Sequence, residues 1–173
     1  MWRPSAERQD SANITRFVAY VNERYGLQLE GYQALHAWSI ANLERFWAAT
    51  WDFTEIIAST PYTRVLDDET KMPGARWFEG AELNFAENML RFRDDRDALV
   101  FKGEGQAVRR MSYGDLYTQV ERLASALRAA GVKKGERVAG FMPNLPETVI
   151  AMLAATSLGA VWSSSSPDFG VKG

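Results

Sequence analysis

Apolar residues recur along this chain at two different intervals, and the change from one to the other predicts its elements. Ile14, Phe17, Val18, Val21 and Tyr25 are three or four residues apart, which gathers them on one helical face, with Asp10 or Ser11 as cap and Gly26 as stop. A second helix is predicted around Leu35 and Trp38, and a third, capped by Ser39, in which Leu43, Phe46, Trp47 and Trp51 share a face. Between positions 60 and 80 the helical interval vanishes, and Pro61, Pro73, Gly74 and Gly80 mark an extended connection. Trp77 and Phe78 are expected to pin that connection to a surface. Asp67, Asp68 and Glu69 read as a solvated acidic run rather than metal ligands. Asn84, with Glu87 three residues on, opens a short helix whose Phe85, Met89 and Leu90 are expected to face inward.

Beyond Asp97 short strand-like runs appear. Residues 98–101 and 107–111 read as a hairpin joined by G-E-G-Q. Ser112 and Asp115 open the clearest helix, which carries Leu116, Val120, Leu123, Ala124 and Leu127 on one face and stops at Gly131, with Val132 placed for a closing contact. The stretch 137–142 is a short apolar run closed by Pro143 and Asn144. Residues 145–158 are apolar on nearly every side, with Pro146 in the first turn and Gly159 past the end, and a second strand follows at 161–165. Strand, helix, strand predicts a parallel pair with a crossover helix, hence an α/β domain. Ligands in such sheets bind outside the carboxyl ends of the strands, which directs attention to 142–144 and 163–168. The predicted organisation is a helical N-terminal cap at 1–59, an extended connection with a short helix at 60–96, and an incomplete α/β domain from 97 to 173.

Composition narrows the function classes. With 46% hydrophobic and 24% charged residues among 173, the chain is of ordinary globular type. A net charge of -2 and scattered basic residues give no footprint for nucleic acid, so no such partner is expected. The absence of cysteine excludes disulfides and thiolate metal sites. Neither a leader-like apolar run after Met1 nor a stretch of about 18 apolar residues occurs, so the expectation is a cytoplasmic protein with no membrane partner. His36, the only histidine, lacks the companions of a metal site or triad and reads as structural. The density of Trp38, Trp47 and Trp51 reads as compensation for a small helical core rather than as a ligand platform. The run S-S-S-S-P-D-F-G-V-K-G at 163–173 has the residue types of a phosphate loop but not its spacing. Pro167 removes a donor, Asp168 carries the wrong charge, and Lys172 precedes glycine instead of Ser or Thr. No G-x-S-x-G elbow supports a serine nucleophile. No residue stands out as catalytic acid, base or nucleophile, and no metal site is expected.

Several segments resemble one family. W-F-E-G-A-E-L-N-F-A-E-N-M-L from Trp77, M-S-Y-G-D-L from Met111, G-V-K-K-G-E-R-V-A from Gly131, M-P-N-L-P-E-T-V-I-A-M-L-A from Met142 and G-A-V-W-S-S-S-S-P-D-F-G from Gly159 are similar to the N-terminal part of the acyl-CoA synthetases, members of the adenylate-forming superfamily. The W-S-S-S-S-P-D-F-G run resembles the acetoacetyl-CoA synthetases within it, and the tryptophan-rich helices before Thr60 resemble the cap of the short-chain synthetases. The resemblance implies a ligase that uses ATP and Mg2+ to form an acyl-adenylate from acetoacetate and then passes the acyl group to coenzyme A. It implies, too, that the phosphate loop, the ribose aspartate and the catalytic lysine lie beyond residue 173, so that this chain alone is inactive. The family's coenzyme A segment maps onto Ser166, Pro167 and Asp168, although its usual glycine pair is missing here. Related readings are a fragment of an acetyl- or propionyl-CoA synthetase, or a non-catalytic interaction module. The strands around Val138 and Val161 and the helix between them are expected to lack covering partners, and the isolated chain to self-associate.

Overall fold

Residues 2–170 are described by a computed structural model, in which the chain divides between Glu82 and Leu83 into two units. The first unit is led by helices. A short helix not anticipated from the sequence, α1 (Ala6–Asp10), begins where the Ser5 hydroxyl accepts from the Arg8 N–H (3.3 Å). Ser11 terminates α1, and α2 (Asn13–Tyr25) therefore starts from Ala12 rather than from Asp10 or Ser11. Gly26 stops α2 as predicted, in the left-handed conformation at φ 64°. Helices α3 (Gly31–Ala41) and α4 (Leu43–Phe53) follow, hinged at Asn42. Ser39 lies inside α3, where its hydroxyl donates to the His36 carbonyl (2.8 Å), and does not cap α4.

Two faces of α4 have separate duties, which the single predicted stripe merged. Phe46, Ala49 and Phe53 pack with Phe17, Val21 and Leu35 in the helical core, where Phe17 meets Phe46 edge-on at 5.9 Å and Phe53 at 5.0 Å. Trp47 and Trp51 turn instead to a hairpin of β1 (Arg64–Leu66) and β2 (Trp77–Glu79), paired antiparallel with Leu66 opposite Trp77. Trp47 meets Trp77 at 5.8 Å, and Phe78 sits against Trp51 (4.8 Å) and Tyr62 (5.3 Å). These ring contacts hold Phe78 at φ 48°, a backbone region costly for a bulky residue. Asp67 departs from the solvated run expected of it. Its carboxylate, with the side chain 5% exposed, accepts from the Arg76 N–H (2.7 Å), the Arg76 guanidinium (3.3 Å) and the Lys71 ammonium (2.9 Å), clasping the loop between the two strands.

The second unit opens with α5 (Phe85–Met89), capped by Asn84, whose Oδ1 accepts from the Glu87 N–H (3.1 Å). Only Ala86 and Leu90 of this segment are buried; Phe85 and Met89 are exposed, contrary to the inward stripe expected, because the helix is too short to bury a second face. The stretch 60–96 is thus divided, its first part paired in the hairpin of the first unit and its last part packed in the second. Strands β3 (Asp97–Phe101) and β4 (Arg109–Ser112) form the predicted antiparallel hairpin. Helix α6 (Tyr113–Ala129) begins with reciprocal bonds: the Ser112 hydroxyl donates to the Asp115 carboxylate (2.8 Å) and accepts from the Asp115 N–H (3.1 Å). It ends with Gly131 and a bond from the Val132 N–H to the Leu127 carbonyl (3.0 Å).

β5 (Arg137–Phe141) and β6 (Val161–Ser165) are parallel, in register from Arg137 opposite Val161 to Phe141 opposite Ser165, and α7 (Pro146–Ser157) crosses between them. The architecture is α/β, as predicted. Ile150, Leu153 and Ala154 of α7 pack with Leu116, Val120 and Ala124 of α6 and with Ala86 and Leu90. Here the expectation of an uncovered helix is corrected, since α5 and α6 cover it. Each large side chain in this cluster contributes about 1.5–3 kcal/mol through burial. Asn84 secures the assembly from the other end, its Nδ2 donating to the Thr156 carbonyl in the last turn of α7 (3.0 Å).

Candidate functional site: the carboxyl ends of the parallel strands

The two segments singled out from the sequence meet on one edge. Beyond β5 the Met142 N–H donates to the Ser165 carbonyl (3.1 Å), carrying the parallel pairing past the strand and placing 142–144 beside the end of β6. The loop before α7 is held from within, by the Thr148 hydroxyl donating to the Pro143 carbonyl (2.7 Å). Pro146 occupies the first turn, where its missing N–H costs nothing. Glu147 in the same turn accepts from the Arg109 guanidinium of β4 (2.6 Å). That bond, followed by a backbone N–H of the helix start, holds the Glu147 carboxyl below its usual range. The hairpin and the helix start are thereby tied together, across a separation of 38 residues that no sequence pattern reveals.

After β6 the chain turns through a short 3-10 helix, Pro167–Phe169. Ser166 caps it twice over, its hydroxyl accepting from the Asp168 N–H (3.3 Å) and donating to Asp168 Oδ2 (3.0 Å). Ser166 is half-buried, whereas Pro167, Asp168 and Phe169 are exposed. The three residues assigned to a ligand turn therefore form one hydrogen-bonded corner with an exposed carboxylate. A carboxylate repels phosphate, but one oxygen already bonded to a hydroxyl leaves ample acceptor capacity for an N–H or O–H donor. Lys172 of the phosphate-loop pattern lies outside the described residues. Among the described residues no group of three His, Asp or Glu is placed to hold a metal ion. His36 belongs to the first unit, where it stacks on Tyr32 (5.9 Å).

Beneath this edge, sequence reasoning missed one packing constraint. The Trp162 ring lies across Gly140, so close that a side chain at 140 meets Trp162 Cη2 at 2.6 Å. A glycine inside an otherwise regular strand signals such an approach, and that signal was present in R-V-A-G-F.

A parallel strand pair with a crossover helix, and a polar turn where its strands end, define an α/β unit of the kind in which ligands generally bind outside the strand ends. The description "AMP-binding enzyme" belongs to the family model that matches residues 85–172, and a model for the acetyl-coenzyme A synthetase N-terminus matches residues 32–89. The chain belongs to the AMP-binding enzyme family. Over its whole length it is 42% identical to an acetoacetyl-coenzyme A synthetase of Rhizobium meliloti (strain 1021), of which it covers 26%. It is 43% identical to an acetoacetyl-CoA synthetase of Rattus norvegicus, again covering 26%, and 39% identical to a malonamoyl-CoA synthetase of Penicillium aethiopicum, covering 25%. A solved structure of the acetoacetyl-CoA synthetase from Streptomyces lividans superposes with a TM-score of 0.88 at 46% identity, over 99% of this chain and 27% of that one. The chain spans about a quarter of the length of the relatives it matches.

Proposed function

We propose that this chain serves as the N-terminal portion of a cytoplasmic ATP-dependent acid–thiol ligase that converts acetoacetate and coenzyme A to acetoacetyl-CoA through an acyl-adenylate. The observation that carries the reading is whole-chain similarity to acetoacetyl-CoA synthetases together with the strand-end corner Ser166, Pro167 and Asp168. In this reading the first unit is the cap and the second opens the adenylation domain. The chain's own contribution is positional. The βαβ unit presents the corner, Ser166 orients the Asp168 carboxylate, and that carboxylate accepts from a donor of coenzyme A such as the adenine amino group. ATP with Mg2+, when bound in the rest of the enzyme, would supply the adenylyl group that activates the acid, with pyrophosphate as leaving group. No proton-transfer step is assigned to residues of this chain.

Similarity to a malonamoyl-CoA synthetase is consistent with a shared cap and opening unit, with acid selection made elsewhere. The test is acid-dependent exchange of pyrophosphate into ATP by the longer protein that contains this chain, with acetoacetate, acetate, propionate and malonamate compared. Exchange is expected to be fastest with acetoacetate, and to be absent from the 173-residue chain alone. Preference for another acid rejects the substrate, and exchange by the purified short chain rejects the assignment of the machinery to other residues.

A further inference from the structure

The ion pair between Arg109 and Glu147 stands where it can govern the strand-end edge. Arg109 is the first residue of β4, and Glu147 lies in the first turn of α7, directly after the loop that follows β5. Exposed ion pairs ordinarily contribute little. This one differs at a single atom. Glu147 is half-exposed as a residue, and its Oε1 accepts from Arg109 (2.6 Å), but its Oε2 is shielded from solvent and has no partner among the described residues. The Arg109 guanidinium therefore compensates a carboxylate that water reaches only in part. Arg109 is itself steadied by the Phe101 ring opposite it in the hairpin, 5.9 Å away. Packing leaves the loop less constrained, because a cleft of about 150 Å³ opens between Leu99, Val100 and Phe101 of β3 and Asn144, Leu145 and Pro146.

From Glu147 the restraint passes to the corner in short steps. The neighbouring Thr148 donates through its hydroxyl to the Pro143 carbonyl (2.7 Å) and through its N–H to the Leu145 carbonyl (3.1 Å). Met142, next to Pro143, donates to the Ser165 carbonyl (3.1 Å), and Ser165 leads directly into Ser166, Pro167 and Asp168. Without Arg109, the first turn of α7 must shift toward water to hydrate Glu147, and the loop and Ser165 move with it. We propose that Arg109 is a positioning residue for this corner. Through Glu147 it fixes the loop 142–145 and thereby the place of Asp168, so it governs coenzyme A affinity without touching the ligand. The inference rests on the proposed reading of the corner as the coenzyme A turn.

The test uses the longer protein that contains this chain. Arg109→Gln is expected to raise the KM for coenzyme A in thioester formation by about three- to tenfold, while acid-dependent pyrophosphate exchange stays within about twofold. Glu147→Gln added to Arg109→Gln removes the uncompensated carboxylate, so the double variant is expected to be less impaired than Arg109→Gln alone. Arg109→Lys keeps the charge and is expected to recover part of the affinity. Hydrogen exchange in Arg109→Gln should quicken over 142–149 and 165–169 and stay unchanged in α2. Lower stability with an unchanged KM for coenzyme A overturns the proposal, as do losses that simply add in the double variant. Exchange that quickens over 142–149 but not over 165–169 also overturns it, since the restraint then ends at the loop. Asp168→Asn, measured alongside, separates this inference from the reading beneath it. Coenzyme A dependence altered by Asp168→Asn but not by Arg109→Gln overturns the positioning role alone, whereas indifference to Asp168→Asn overturns the corner reading and the role with it. Should Arg109→Gln fail to fold, Arg109→Lys and the double variant decide.

Discussion

Replacing Gly140 by alanine tests the packing beneath the strand ends with the smallest possible change. The φ of Gly140 lies outside the left-handed region, so no backbone demand keeps glycine there. Space does. An alanine Cβ falls 2.6 Å from Trp162 Cη2, 2.9 Å from Trp162 Cζ2 and 3.3 Å from Met142 Sδ. Carbon atoms in good contact are about 3.5–4.0 Å apart, so the indole must retreat by roughly 1 Å or more. Overpacking of this kind costs about 1–3 kcal/mol, and removal of the glycine's entropic penalty in a strand returns about 0.5–1 kcal/mol. The net expectation is a loss of about 1–2 kcal/mol, or several degrees in the unfolding midpoint of a domain this size. Hydrogen exchange over residues 137–165 during a denaturant series reads the second unit separately from the first. Trp162→Leu in the same chain removes the obstacle, so the double variant should lose at least about 1 kcal/mol less than the two single losses added together. A neutral or stabilising Gly140→Ala, or strict additivity with Trp162→Leu, refutes the reasoning.

Asn84→Ala removes the cap of α5 and the bond to α7 together, and is expected to cost about 1–2 kcal/mol. Faster hydrogen exchange should appear in both α5 and the last turn of α7, and a change confined to α5 contradicts the tie. Asp67 is held well below the usual aspartate range, first by the Arg76 N–H and then by Lys71 and the Arg76 guanidinium. A carboxyl with a depressed folded pKa stabilises fully above its ordinary value and loses that contribution progressively as pH falls from there through the folded value. Carbon-13 titration should accordingly find Asp67 still ionised at about pH 3, and a midpoint near the ordinary aspartate value counts against the clasp. In the longer protein, Asp168→Asn is expected to weaken coenzyme A by about 1.5–3 kcal/mol while acid-dependent pyrophosphate exchange is retained. Equal damage to both half-reactions, or an unchanged coenzyme A dependence, leaves Asp168 as a residue that only stabilises its turn.

Much of the second unit was legible in the sequence because its instructions are local. Ser112 with Asp115, Gly131 with Val132, and Pro146 with Gly159 mark helix ends within a few residues of the atoms they satisfy, and the apolar runs between them have one suitable period. The corner after β6 is equally local, with Ser166 and Asp168 two residues apart, but Ser166, Pro167 and Asp168 were picked out by the family resemblance and not by any local pattern. What the tertiary structure alone decided depends on groups distant in the chain. Strands β1 and β2 are three residues each, too short for any alternation to register, and they exist because Asp67 clasps Arg76 and because Trp47 and Trp51 supply a surface. Periodicity placed Phe46 and Trp47 on one helical face, and their rings do meet edge-on at 5.2 Å, but only Phe46 packs into the helical core while Trp47 reaches Trp77 of the hairpin. The Arg109–Glu147 tie joins β4 to the first turn of α7, far along the chain, and the Trp162 ring meets Gly140 only when α7 carries the chain back beside β5.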